Sequence, residues 1–116
     1  MQPYLPYIIV AIVILYLVVS RARAAKFRIS GEEARRLVKE SGATLIDVRT
    51  SGEFSGGHIP AAKNIPLQTL GTKLKKIPKD KPVVVCCASG MRSAQAARML
   101  TAEGYEVSDL GSWARW

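Results

Sequence analysis

Residues 83–100 constrain this chain more than any other stretch. Val83-Val84-Val85-Cys86-Cys87 is a β-branched run suited to a buried strand, and Ala94-Gln95-Ala96-Ala97-Arg98-Met99-Leu100 reads as a helix. Between them lie Ala88-Ser89-Gly90-Met91-Arg92-Ser93, small or polar residues with one glycine. Cys87 therefore stands at the exit of a strand and the entrance of a helix. The backbone N–H groups of Ala88, Ser89, Gly90, Met91 and Arg92 can curl around an anion there. Ser93 is a candidate N-cap, and the helix behind it adds the positive end of its dipole. With Arg92 alongside, a thiol so placed is favoured as a nucleophilic thiolate. The competing reading is an inert core cysteine at a strand end. The coincidence of glycine, arginine and helix start favours the anion cradle. Side chains alternate along a strand, so Cys86 faces the other way, into packing. A vicinal disulfide between the two cysteines would close a strained ring.

At the other end of the chain, Tyr4 to Val19 is apolar and uncharged. As a helix, Pro3 to Ser20 is about 27 Å long, against a hydrocarbon core of roughly 30 Å. Tyr4, Tyr7 and Tyr16 suit the membrane interfaces, and Pro3 and Pro6 fall where helices tolerate proline. Residues 1–20 are thus read as one transmembrane helix and residues 21–29 as a basic juxtamembrane linker. Arg21, Arg23, Lys26 and Arg28 supply half of the net charge of +8. They follow the span, so the positive-inside rule places the N-terminus outside and the following domain in the cytoplasm. Two cysteines without a paired framework agree with a reducing compartment. Ala22-Arg23-Ala24 has the form of a signal-peptidase site, but no basic region precedes the apolar stretch. The basic cluster suits anionic lipid headgroups, and no aromatic-interleaved basic patch points to nucleic acid.

Residues 30–116 form the remaining unit. Ser30 and Glu33 make a capping box for a helix ending near Ser41-Gly42. Thr44 to Val48 is a short strand, Ser51 to Gly57 a polar loop and Asn64-Ile65 a brief strand. Leu67 to Ile77 is an irregular helix containing Gly71. Pro82 to Cys87 is the most hydrophobic strand, Ser93 to Glu103 a helix stopped by Gly104, and Tyr105 to Leu110 the last strand. Alternation at this spacing predicts an α/β domain with a central, mainly parallel sheet flanked by helices on both faces. Ligands bind beyond the carboxyl ends of such strands, where Cys87 falls. The domain is small and should carry an open active-site loop. Adjacent cysteines and a single histidine, His58, offer no metal-binding spacing.

Two separated signatures in this unit resemble the rhodanese homology domain, over about residues 27–116. The first is Leu45-Ile46-Asp47-Val48-Arg49 with Glu53-Phe54 and then Gly57-His58-Ile59-Pro60-Ala61-Ala62-Lys63-Asn64-Ile65-Pro66. The second is Cys87-Ala88-Ser89-Gly90-Met91-Arg92-Ser93, with Gly104-Tyr105 downstream and Gly111 to Trp116 closing the domain. The resemblance implies a small rhodanese-like fold and a sulfurtransferase that needs no cofactor. Cys87 would take a sulfane sulfur from thiosulfate or a persulfide, hold it as a persulfide, and pass it to a thiol or cyanide acceptor. The amides of residues 88–92 would stabilise the anionic sulfur, with Arg92 as electrostatic support. Four residues separate Cys87 from Arg92, the loop length of the sulfur-transferring members rather than of related phosphatases and arsenate reductases.

Asp47, Arg49 and Glu53 read as an ion-pair network supporting the site. His58 reads as a loop histidine bonded to backbone, because a thiolate made by its loop needs no base. The chain also departs from the family pattern. Ala88 stands where many thiosulfate-using members carry a basic residue, leaving one cation fewer for a dianionic donor. Ser112 replaces a common second glycine, and with the chain stopping at Trp116 the usual last helix should be missing or very short. The combined expectation is a membrane-anchored sulfurtransferase acting by two displacements. The alternative is a non-catalytic or accessory sulfur-carrier or docking module for a membrane protein partner.

Overall fold

The computed structural model describes residues 2–116 and the side chains of all of them except 23 and 24. Met1, part of the expected span, lies outside the described residues, as do the side chains of Arg23 and Ala24 in the cleavage-site reading. The apolar run forms α1, Leu5–Phe27, with proline in its first turn. It is long and apolar enough to cross a bilayer, with a mean hydropathy of 2.2, and none of that window is buried. The helix runs beyond the expected boundary into the basic segment read as a linker. Arg, Ala and Lys are good helix formers, so nothing stops α1 before Phe27. Chain then passes directly into the domain: Arg28 forms a parallel bridge with Asp109, and the Ile29 amide donates to the Asp109 carbonyl at 2.9 Å.

Four parallel strands form the sheet: β1 Thr44–Asp47, β2 Lys63–Asn64, β3 Val83–Cys87 and β4 Val107–Ser112, in the order β2-β1-β3-β4. The β-branched β3 is central and wholly buried. Helix α2, Gly31–Glu40, covers one face, where Ala34 packs with Leu45, Val84, Cys86 and Leu110. On the other face α4, Leu67–Leu70, and α5, Met91–Ala102, cover Ile46, Val48, Val85 and Cys87. Phe27 at the end of α1 packs against this second cluster. Adjacent residues of β3 thus send Cys86 and Cys87 into opposite cores, as strand alternation requires.

Several elements differ in detail from expectation. Ser30 Oγ accepts from the Glu33 amide at 3.1 Å, but the Glu33 carboxylate pairs with Arg36. The loop 51–57 contains α3, Ser51–Ser55, whose capping box is formed by Thr50 and Glu53. The expected helix 67–77 breaks at Gly71 into α4 and a 3-10 turn, Leu74–Lys76, since glycine stabilises a helix interior poorly. The last strand starts at Val107, not Tyr105. Tyr105 instead enters the core, where its hydroxyl donates to the carbonyls of Ile77 at 2.9 Å and Leu74 at 3.0 Å. A bulge between Val85 and Cys86 shifts the β3–β4 register, and Gly111, with φ of 81°, takes up the irregularity. A single 3-10 turn, Trp113–Arg115, closes the chain.

Candidate active site

β3 delivers Cys87 to the carboxyl edge of the sheet, and the following four residues turn sharply into α5. That turn depends on Gly90, whose φ of 105° is readily reached only without a side chain. Gly90 is the N-cap of α5, and its amide donates to Cys87 Sγ at 2.9 Å. Among the amides of Ala88, Ser89, Gly90, Met91 and Arg92, this is the one bonded to the sulfur. Ser93, expected as the N-cap, lies inside the first turn of α5. Its hydroxyl donates back to the Gly90 carbonyl at 3.2 Å and accepts from the Cys87 thiol at 3.5 Å. Ser93 therefore ties the loop to the sulfur rather than starting the helix.

The expected open loop is closed. Cys87 has no exposed surface, while Ala88, Ser89 and Met91 on the loop's outer side are exposed. The physical reason is the short span: with four residues between Cys87 and Arg92, the Gly90 amide is drawn onto Sγ and the backbone covers it.

Asp47, Arg49, Glu53 and Arg92 form two ion pairs joined through α3. In the first, Arg49 Nε donates to Asp47 Oδ1 at 3.0 Å and Oδ2 at 2.9 Å, and Nη2 donates to Oδ2 at 2.7 Å. The same guanidinium donates to the carbonyls of Gly57 at 2.7 Å and Glu53 at 3.4 Å, and lies 4.6 Å from the Trp113 ring centroid. These bonds with Asp47 raise the Arg49 pKa. In the second pair, Arg92 Nη1 and Nη2 donate to the two carboxylate oxygens of Glu53 at 2.6 and 3.0 Å. Arg92, followed by the Thr50 amide, holds the Glu53 carboxyl down at about 2, and Glu53 in turn raises the Arg92 pKa. α3 is thereby clamped to β1 through its backbone and to α5 through its glutamate. Arg92 reaches the site with its charge matched by Glu53 rather than standing alone beside the sulfur.

His58 sits in the exposed loop after α3, with Nδ1 2.8 Å from the Phe54 carbonyl and its ring stacked on Phe54 at 3.7 Å. Cys86 is fully buried on the α2 face, and burial, then the nearby charge of Asp47, pushes its thiol up to about 12. Both cysteines are free. Sequence reasoning missed several supporting residues. Asn64 Nδ2 donates to the carbonyls of Asp47 at 3.1 Å and Arg49 at 2.9 Å, tying β2 to the strand that carries the first pair. Thr50 fixes Glu53, and the Thr50-x-x-Glu53 spacing was the available signal. No local pattern signals Trp113 under Arg49, or the pair of Arg28 with Asp109.

The profile of the rhodanese-like domain matches residues 30–116. The chain is 38% identical over 113 residues to the uncharacterized protein YqhL of Bacillus subtilis, covering 94% of this chain and 88% of that one. It is 39% identical over 72 residues to a sulfurtransferase of Allochromatium vinosum, covering 62% of this chain and 67% of that protein. A solved rhodanese-like domain protein from Staphylococcus aureus superimposes with a TM-score of 0.69 at 31% identity, over 77% of this chain and 89% of that one. The parallel sheet, the cysteine loop at its carboxyl edge and these matches lead to one assignment: the chain belongs to the rhodanese-like domain family.

Proposed function

We propose that this protein is a membrane-anchored sulfurtransferase working through a Cys87 persulfide. The observation that carries the reading is the Gly90 amide bonded to Cys87 Sγ at the entrance of α5, which supports an anionic sulfur at that position. In the first displacement the Cys87 thiolate attacks the sulfane sulfur of thiosulfate or a persulfide. The donor's S–S bond breaks, and sulfite or a thiolate leaves with its electron pair. In the second, a thiol or cyanide acceptor attacks the outer sulfur of the Cys87 persulfide and returns the thiolate. No external oxidant or reductant is consumed. The anchor is α1, and the charges following it favour an outside N-terminus and a cytoplasmic domain.

One observation favours a second reading, in which the domain is an accessory sulfur carrier for a membrane partner. Cys87 is sealed beneath its loop, so a docked partner would be the agent that opens it. The intact mass of the full chain in detergent separates the two, after exposure to thiosulfate and separately to glutathione persulfide. Gain of one sulfur atom that disappears in Cys87→Ser supports the enzyme, whereas no gain in a folded chain favours the carrier. For topology, a membrane-impermeant thiol reagent applied to intact cells is expected to leave Cys87 unlabelled.

A further inference from the structure

Arg28 lies just past α1 and ahead of the segment matched by the family. Its backbone adds a one-residue rung beside β4, and its side chain crosses β4 to reach the cysteine loop. A Cβ built on Gly111 would lie 2.8 Å from Arg28 Nη1, and one built on Gly90 would lie 2.9 Å from Nη2. Glycine at both positions is what makes room for the guanidinium.

Two further contacts fix how the guanidinium is held. Arg28 Nε faces Asp109 Oδ2 at 3.4 Å, and the fully buried Asp109 is anchored by the Gly111 amide, which donates to Oδ1 at 2.7 Å. Asp109 thus faces the guanidinium at Nε as an ion pair, its buried Oδ2 accepting no hydrogen bond. Among the described residues, none accepts a hydrogen bond from Arg28 Nη1 or Nη2, and one third of the side-chain surface, 33%, is exposed. Arg92 is the contrast, because both of its terminal nitrogens are bonded to Glu53.

We propose that Arg28 is a donor-selecting residue of this site, whose Nη groups, lying against Gly111 and Gly90, receive the anionic end of a sulfur donor as it approaches Cys87. A guanidinium presents two parallel N–H groups, which match a sulfonate or carboxylate. Arg28 thereby supplies, from ahead of the residues the family profile matches, a positive charge that Ala88 does not. The donor class is an anionic sulfane-sulfur compound bearing a sulfonate or carboxylate near the transferred sulfur. The inference rests on the sulfurtransferase reading, so its test includes a readout that requires no sulfur transfer.

Iodoacetate and iodoacetamide are close in size and differ by one negative charge. Both need the loop to open, so opening cancels in the ratio of their rates at Cys87. In the full chain in detergent, Arg28→Gln is expected to lower the iodoacetate-to-iodoacetamide ratio by about 3- to 10-fold, and Arg28→Lys to keep it within about twofold of wild type. Thiosulfate loading of Cys87 should fall with the ratio. If Arg28→Gln does not fold, Arg28→Gln/Asp109→Asn, read against Asp109→Asn alone, carries the same comparison without leaving a buried carboxylate unpaired. An unchanged ratio, or an equal slowing of both reagents, overturns the proposal and leaves Arg28 as a strap on the loop. A lowered ratio in a chain that takes sulfur from neither thiosulfate nor glutathione persulfide overturns the sulfurtransferase reading, and donor selection with it.

Discussion

The carboxylate of Asp47 has no exposed surface, and both of its oxygens accept from Arg49, so removing that guanidinium leaves a charge in the sheet edge without a counter-ion. Arg49→Ala is expected to destabilise the domain by about 3 kcal/mol, read from chemical denaturation. Arg49→Lys should recover part of this, because an ammonium cannot reach Asp47, the Gly57 carbonyl and the Trp113 face together. The two cysteines invite a simpler check. With the Cys86 thiol pushed to about 12, alkylation at neutral pH should label one site per chain, lost in Cys87→Ser and retained in Cys86→Ala. Cys87 and its loop were legible because strand, glycine, arginine and helix are consecutive, so local rules apply. N-cap preference points to Ser93, whereas the shortness of the loop forces the turn onto Gly90. Arg28 and Asp109 were invisible as partners, since they are joined only when β4 closes the sheet.

Helix α3 is too short to stabilise itself, and what holds it is the glutamate it shares with α5. The Glu53 carboxyl is held at about 2 in the folded protein, below its ordinary 4.5. Between these values the unfolded chain binds the proton more readily, so stability rises with pH. The contribution of Glu53 is complete above about 4.5 and is lost as pH falls toward about 2. Thermal unfolding of wild type and Glu53→Gln should therefore differ at pH 6 and converge near pH 2. The difference will be modest, because both partners are partly exposed. A second prediction concerns the start of α5. Gly90→Ala must adopt a φ of 105° and displace Arg28, so a loss of about 1–2 kcal/mol is expected, read from chemical denaturation. Element type followed from periodicity, and the sheet from alternation. α3 escaped because five residues carry no period, and the break at Gly71 because a glycine's effect depends on the packing around it.

At the scale of the whole molecule, the basic cluster read as a linker is a helix, and the difference follows from a missing stop signal: Arg21 to Lys26 contains neither glycine nor proline. α1 ends at Phe27 packed on the core, and Arg28 is already bonded to the sheet. A flexible segment of ten residues would give a tethered thiol a reach of about 17 Å in every direction. This chain has no such slack. On a bilayer, Cys87 would work at one height above the lipid, like a tool on a fixed post. Small donors would find it by diffusion through water, whereas a macromolecular acceptor would have to present its own sulfur-accepting group at that same height.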